Sequence, residues 1–311
     1  MATEHQLRQE LIRFSHLCYE RNLLVAMDGN LSALLSSGEV LCTKAGCHKG
    51  FVTDDDLVVV DRKGRKVRGS GQPTSEMLMH LAAYDERPDV RAVVHTHPPI
   101  SIAFTIAGQS MARCVLPEVV LTLGHVPTVE YATTGTSTLA DAIRPYIKHH
   151  DAILMDRHGA VCVGRDLLEA FCRLETMEHT ALITKTARDL GMVRELPSDE
   201  AVKLRSLGLK RYGGPPEAVA KADAPGADLP PACLSCTGCN NPTPSGIGPR
   251  RDLRMARVSS LPLPALQDAV AQAKRALDGA GAGRGAAGPD AQDALEAAVT
   301  AEVLRALASA R

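Results

Sequence analysis

His95-Thr96-His97 follows directly on the apolar run Ala92-Val93-Val94. Two imidazoles two residues apart on an extended segment face the same side, so both can reach one ion. His158, in Arg157-His158-Gly159, follows a second short apolar run. Three neutral imidazoles with a fourth position left open suit a catalytic divalent ion, most often zinc. The H-x-H spacing alone would equally fit packed or surface histidines. Glu76 adds a carboxylate about twenty residues before the pair, in Gly71-Gln72-Pro73-Thr74-Ser75-Glu76. Beside a cation it can ligate or act as a base; the same position also suits the acidic residue of a capped first helical turn.

These residues need elements to hold them. Leu7, Leu11, Phe14 and Cys18 recur at helical spacing, which predicts an amphipathic helix over 5–21. Val40-Leu41-Cys42 and Leu57-Val58-Val59-Val60 read as strands, the latter ending in a hairpin turn at Asp61-Arg62-Lys63-Gly64. Ser75–Tyr84 reads as a helix capped by Thr74 or Ser75, and Ala92–His95 as a short buried strand. Ala152–Met155 and Ala160–Val163 form a pair around Asp156-Arg157-His158-Gly159, and a long helix is expected over Asp166–Leu190. The pattern is that of an α/β domain, without a G-x-G-x-x-G or Walker loop.

The chain has 311 residues, with 35 basic and 36 acidic side chains. A pI near 6.8 excludes a generally basic nucleic-acid binder. No apolar run approaches the ~18–20 residues that span a bilayer, and the first residues lack the apolar core of a signal peptide. The expectation is therefore a cytoplasmic protein with no membrane or nucleic-acid partner. Cys18, Cys42, Cys47, Cys114, Cys162 and Cys172 sit singly among apolar neighbours, as small buried hydrophobes do.

All nine Phe and Tyr residues lie at or before Tyr212, while eleven of nineteen prolines lie after it. A globular domain is accordingly expected over 1–212, followed by a largely disordered tail. Within the tail, 213–264 reads as a Pro/Gly-rich linker, 265–278 as a short amphipathic helix, 279–289 as a Gly/Ala linker and 290–311 as an amphipathic docking helix. Leu295, Val299, Val303 and Leu307 make the apolar stripe of the last segment, which is too short to be stable alone and would fold on a partner. Cys233, Cys236 and Cys239 have C-x2-C-x2-C spacing, which fits an iron–sulfur cluster, a second metal or an exposed redox-sensitive tract.

Several separated motifs carry a family resemblance. Thr74-Ser75-Glu76, Met79-His80, Arg87-Pro88-Asp89-Val90-Arg91-Ala92-Val93-Val94-His95-Thr96-His97, Tyr131-Ala132-Thr133-Thr134-Gly135-Thr136 and His158-Gly159 occur in that order. Together they resemble the class II aldolase/adducin family, and within it the L-fuculose-phosphate aldolase branch, over essentially all of 1–212. The resemblance implies a single α/β domain with a central, mainly antiparallel sheet flanked by helices, assembled as a homotetramer. It implies zinc on His95, His97 and His158, with Glu76 as acid/base and further metal contact. A sugar phosphate would sit on Asn30, Thr43, Gly46, Thr74 and Ser75, and Tyr212 would protonate the aldehyde-side oxygen. The implied reaction is cleavage of L-fuculose 1-phosphate or L-rhamnulose 1-phosphate to dihydroxyacetone phosphate and L-lactaldehyde.

Two residues depart from the family pattern. Ala45 stands where the phosphate loop usually carries a hydroxyl, and Leu116 where an active-site tyrosine is expected. Glu118 and His125, in the same region, read as structural or interfacial. Glu76 separates the chain from the ribulose-phosphate epimerases, which use an aspartate there. A methylthioribulose-1-phosphate dehydratase-like enzyme and a metal-free, adducin-like binding module are the alternatives. The tail resembles the encapsulation peptides that deliver enzymes into the lumen of bacterial microcompartments, with shell proteins as partners.

Overall fold

The computed structural model describes residues 2–219 apart from 112 and 217. The cysteine tract and both tail helices anticipated from the sequence lie outside these residues. The chain opens with α1 (Glu4–Glu20), where Thr3 and Gln6 exchange capping hydrogen bonds, then forms β1 (Asn30–Leu34) and β2 (Val40–Thr43). Next come the hairpin β3 (Leu57–Val60) and β4 (Lys66–Arg68), helix α2 (Met77–Glu86), β5 (Ala92–Thr96) and α3 (Pro99–Ile106). Helix α4 (Pro117–Thr122), β6 (Thr128–Val129) and α5 (Ser137–Ile147) lead into β7 (Ala152–Met155) and β8 (Gly159–Gly164). Two helices follow, α6 (Leu167–Leu190) and α7 (Ser198–Tyr212).

The strands form one sheet in the order β4-β3-β2-β1-β5-β8-β7-β6. Every pairing is antiparallel except that of β6 with β7. Successive side chains of a strand point to opposite faces, and both faces are covered. Val59, Val94, Leu154 and Cys162 pack with α1 and α6, while Val58, Val93, Ile153 and Val161 pack with α2 and α5. Burial on both sides is why these strands read in the sequence as unbroken apolar runs.

Most sequence-based elements stand within one or two residues of their expected limits, with two corrections. Helix α2 begins at Met77, not Ser75, and the residue at its cap is Glu76, which makes no side-chain capping bond. Thr74 Oγ1 instead accepts from the Glu76 N–H at 3.3 Å, leaving the Glu76 carboxylate for other contacts. Cys172 is exposed while the other five described cysteines are buried; Phe171 and Leu174 take the inward face of α6 and leave position 172 outside. Leu116 precedes α4 and packs against the core.

Candidate metal centre and acid/base site

β1, β5 and β8 lie side by side in the middle of the sheet, and the site is built at their shared end. Asn30 opens β1 opposite His95 of β5, and His95 lies opposite Val161 of β8. His97 follows β5 directly, and His158 occupies the turn that joins β7 to β8. Arg157 in that turn has φ +54°, a left-handed conformation that costs a non-glycine residue roughly 1–2 kcal/mol. Its N–H is held by Thr105 Oγ1 at 3.0 Å, and the His158 N–H donates to Met155 O at 3.1 Å. The turn thus aims His158 back over the sheet end.

Two glycines make room for this convergence. A Cβ on Gly159 would lie 2.5 Å from Thr96 O, 2.8 Å from His97 Cδ2 and 3.0 Å from His95 Cε1. Gly29 has φ +66°, and a Cβ there would lie 2.7 Å from His95 O. Side chains at either position would push the histidine-bearing segment away.

His95, His97 and His158 offer ring nitrogens that all lie within 4.8 Å of one another. The Nε2 atoms of His95 and His97 are 3.2 Å apart. Two zinc–nitrogen bonds of about 2.0–2.1 Å meeting at a tetrahedral angle put their nitrogens about 3.3 Å apart, so this spacing suits one shared ion. His95 Nδ1 sits 2.9 Å from Ala160 O; a carbonyl can only accept, so Nδ1 carries the proton and Nε2 presents its lone pair. Asp28 Oδ2 lies 3.6 Å from His97 Nδ1, a charge contact longer than a hydrogen bond. Burial, then the nearby His95 and His158, pushes the His97 imidazole down to about 3, which keeps it in the neutral form a metal requires.

The Glu76 carboxylate closes the cluster. Oε2 accepts from Asn30 Nδ2 at 2.9 Å and lies 3.0 Å from His95 Nε2, while Oε1 lies 3.2 Å from His158 Nε2. Burial raises the cost of ionising Glu76, but the His95 and His158 imidazoles around it and the amide of Asn30 outweigh it and hold the carboxyl far below the usual range. Oε1 is buried without a hydrogen-bond partner, and so is His158 Nδ1. Orphaned polar atoms beside convergent nitrogens are groups that a bound cation would satisfy. The donor set fits a divalent metal of the zinc type.

The residues expected to hold phosphate are partly assembled. Ala45 N–H donates to Gln72 O at 2.9 Å and Lys44 bridges Pro73, so the loop carrying Thr43 and Gly46 lies beside Thr74 and Ser75. Gly46 and Ser75 are exposed, whereas Thr43 and Thr74 are buried. Asn30 is committed elsewhere, its amide shared between Glu76 and His80. Tyr212 stands apart at the end of α7, 39% exposed with Arg211 over its ring; no hydrogen bond or ring contact among the described residues joins it to the histidines. His125 packs edge-on against His150, and Glu118 lies in the first turn of α4. A separate groove of about 400 Å³ on α1, lined by Glu4, His5, Arg8, Gln9 and Asp54, contains none of these groups.

Sequence reasoning missed Asp28, the steric part of Gly159, and the partners of Asn30. Nothing in local spacing ties Asp28 to a histidine 69 residues away.

Residues 9–184 match the family described as Class II Aldolase and Adducin N-terminal domain. The chain belongs to this family. Among its class II aldolase relatives, an L-fuculose phosphate aldolase of Methanococcus vannielii is 35% identical over 173 residues, covering 56% of this chain and 92% of the relative. A 3-oxo-tetronate 4-phosphate decarboxylase of Escherichia coli is 32% identical over 207 residues, covering 65% and 97%. The crystal structure of YgbL from Klebsiella pneumoniae superposes with a TM-score of 0.62 at 32% identity, over 66% of this chain and all of that one. An L-fuculose 1-phosphate aldolase structure gives a TM-score of 0.61 at 29% identity, over 66% and 96%. Class II aldolases use a divalent metal, and no helix among the described residues is long and apolar enough to cross a membrane.

Proposed function

We propose that the chain is a zinc-dependent lyase that breaks the bond between the α and β carbons of a keto-sugar phosphate, with His95, His97 and His158 as metal ligands and Glu76 as acid/base. The observation that carries this reading is the Glu76 carboxylate set against the His95 and His158 imidazoles of the three-histidine cluster, with one oxygen lacking a hydrogen-bond partner. The ion, when bound, supplies Lewis-acid stabilisation of the negative charge that develops on the substrate oxygens. The Glu76 carboxylate holds and returns the proton at the substrate carbon. The Thr43–Gly46 loop and Thr74-Ser75 meet the phosphate with small side chains and backbone N–H groups.

The substrate proposed first is L-fuculose 1-phosphate or L-rhamnulose 1-phosphate, cleaved to dihydroxyacetone phosphate and L-lactaldehyde. Aldol cleavage passes the bonding pair to the ketone fragment, which takes one proton on carbon; a second group must manage the proton at the aldehyde oxygen, a role proposed for Tyr212. A relative that is a 3-oxo-tetronate 4-phosphate decarboxylase, 32% identical over 97% of its own length, and a Tyr212 that no hydrogen bond or ring contact among the described residues joins to the histidines, support a second reading: decarboxylation of 3-oxo-tetronate 4-phosphate. Loss of CO2 leaves the same electron pair on the same ketone fragment and also yields dihydroxyacetone phosphate, with no aldehyde oxygen to serve.

The test is a coupled assay of dihydroxyacetone phosphate with all three substrates, on zinc-loaded and chelator-treated enzyme. Metal-dependent release from a ketose 1-phosphate supports the aldolase, and release with CO2 from the oxo-tetronate supports the decarboxylase. Silence with all three, despite bound metal, rejects both in favour of a dehydratase-like reaction. A homotetramer is the assembly proposed for this enzyme. The docking of 290–311 to a shell rests on its sequence pattern, and deleting that segment should spare soluble activity while abolishing co-purification with shell proteins.

A further inference from the structure

A chain of buried hydrogen bonds runs away from the acid/base. Asn30 Nδ2 donates to Glu76 Oε2 at 2.9 Å, and Asn30 Oδ1 lies 2.5 Å from His80 Nε2. His80 Nδ1 lies 2.7 Å from Ser32 Oγ, and Ser32 Oγ lies 2.8 Å from the Tyr84 hydroxyl. Asn30, Ser32, His80 and Tyr84 are all 5% exposed or less. The pattern is a zipper: Asn30 and Ser32 share one face of β1 at strand period, and Glu76, His80 and Tyr84 share one stripe of α2 at i, i+4 and i+8.

We propose that His80, Ser32 and Tyr84 form a one-directional relay that locks the Asn30 amide with its nitrogen toward Glu76, making His80 a positioning residue for the acid/base. The inference rests on the reading of Glu76 as that group. An ionised carboxylate only accepts, so Asn30 must turn its NH2 to Glu76 and its oxygen to His80. His80 Nε2 must then carry the proton. Burial pushes the His80 imidazole down to about 3, so it is neutral and has one N–H to give. Nδ1 therefore accepts from the Ser32 hydroxyl, and Ser32 in turn accepts from Tyr84.

The reversed relay fails at both ends. It would set the Asn30 oxygen against the Glu76 carboxylate, and it would leave the Tyr84 proton without an acceptor, because Ser32 is the only hydrogen-bond partner of that hydroxyl among the described residues. The consequence for chemistry is a division of labour within Glu76. Oε2 is committed to Asn30, so Oε1, which has no hydrogen-bond partner, is the oxygen that carries the proton.

The test uses 15N-histidine NMR of the full chain, with and without zinc, on wild type, Ser32→Ala and Tyr84→Phe, alongside kcat and KM for dihydroxyacetone phosphate release. The expected wild-type signal is the Nε2–H tautomer of His80. Ser32→Ala removes one of the two ends that fix the His80 proton while Asn30 still holds the other, so an Nδ1–H population should appear beside the Nε2–H form and kcat fall about ten-fold, a loss of about 1.4 kcal/mol, with KM and zinc content unchanged. Tyr84→Phe removes the proton that sets the direction of the Ser32 hydroxyl while leaving that hydroxyl in place, and should shift the tautomer and kcat in the same direction as Ser32→Ala but less. An Nδ1–H tautomer in the wild type overturns the relay. A tautomer shift in Ser32→Ala without a change in kcat overturns the positioning role, as does a lowered melting temperature alone. Should Ser32→Ala not fold, the wild-type tautomer decides. If the wild type turns over none of the substrates, the functional reading fails while the tautomer still judges the relay.

Discussion

Replacing Gly159 with alanine is the sharpest perturbation of the site that leaves every ligand in place. The added Cβ would start 2.5 Å from Thr96 O, where ordinary van der Waals contact begins at 3.4 Å. Relieving that overlap requires a displacement of roughly 0.9 Å in a packed strand pair. The same Cβ presses on both His97 and His95, at 2.8 and 3.0 Å, so the strain falls on the two imidazoles whose nitrogens are 3.2 Å apart. Metal sites tolerate ligand errors of about ±0.2 Å, so the required shift is several times too large. Zinc affinity should fall ~100-fold, the upper end of the loss seen when supporting contacts are removed. Overpacking should cost ~1–3 kcal/mol of metal-free stability. Isothermal titration of chelator-stripped protein with zinc measures the first quantity, and melts in excess chelator measure the second. Zinc affinity within three-fold of wild type would show that β8 can yield without moving the histidines, and the account of Gly159 would be wrong.

Glu76→Gln should keep zinc and fold yet lose ~100- to 10,000-fold in turnover, the usual worth of a general acid/base; near-normal kcat would remove Glu76 from that role. Tyr212→Phe should depress aldol cleavage and spare decarboxylation, so assaying both reactions on one variant distinguishes the proposed substrates. Asp151 is 1% exposed and holds Arg87 at 2.8 Å and Arg173 at 3.1 Å. Asp151→Asn removes one carboxylate from two buried guanidinium groups that keep Asp89 and Glu169 as their other partners, and should cost ~1–3 kcal/mol in denaturant melts; an unchanged melt would contradict it. Burial pushes His125 down to about 4 and His150 down to about 3, from an ordinary 6.5. Below pH 6.5 the unfolded chain takes up protons that these two folded-state imidazoles refuse, so stability should fall from there toward pH 4. His150→Gln should flatten that fall relative to wild type, and identical slopes would refute it.

The legible parts of the fold were those with local signatures. The valine-rich runs at 57–60 and 92–94 announced buried strands, and the histidine pair at the end of the second announced a candidate metal site, because strand alternation alone sets His95 and His97 on one side. β1 escaped detection because Asn30-Leu31-Ser32 alternates polar with apolar in the manner of a solvent-facing strand. Its polar residues in fact face α2, satisfied by His80 and Tyr84 some fifty residues on. Glu76 was ambiguous for a related reason: a carboxylate at a helix start fits a cap or a catalyst, and only the convergence of β1, β5 and β8 separates the two. The expected burial of Cys172 failed because apolar neighbours on a helix lie on different faces, which composition does not register.

The dependence of the candidate metal centre on strand pairing has a further consequence. His95 contributes from β5 and His158 from the turn that starts β8, two strands paired with His95 opposite Val161. A slip of one residue would turn His95 to the opposite face of the sheet and leave the ion with too few ligands. An ion at a thousand times its Kd adds ~4.1 kcal/mol to the state that binds it, and here only one alignment can bind. The metal would therefore act as a proofreader of the chain's own assembly, rewarding the correct pairing of two strands whose apolar sequences would tolerate several.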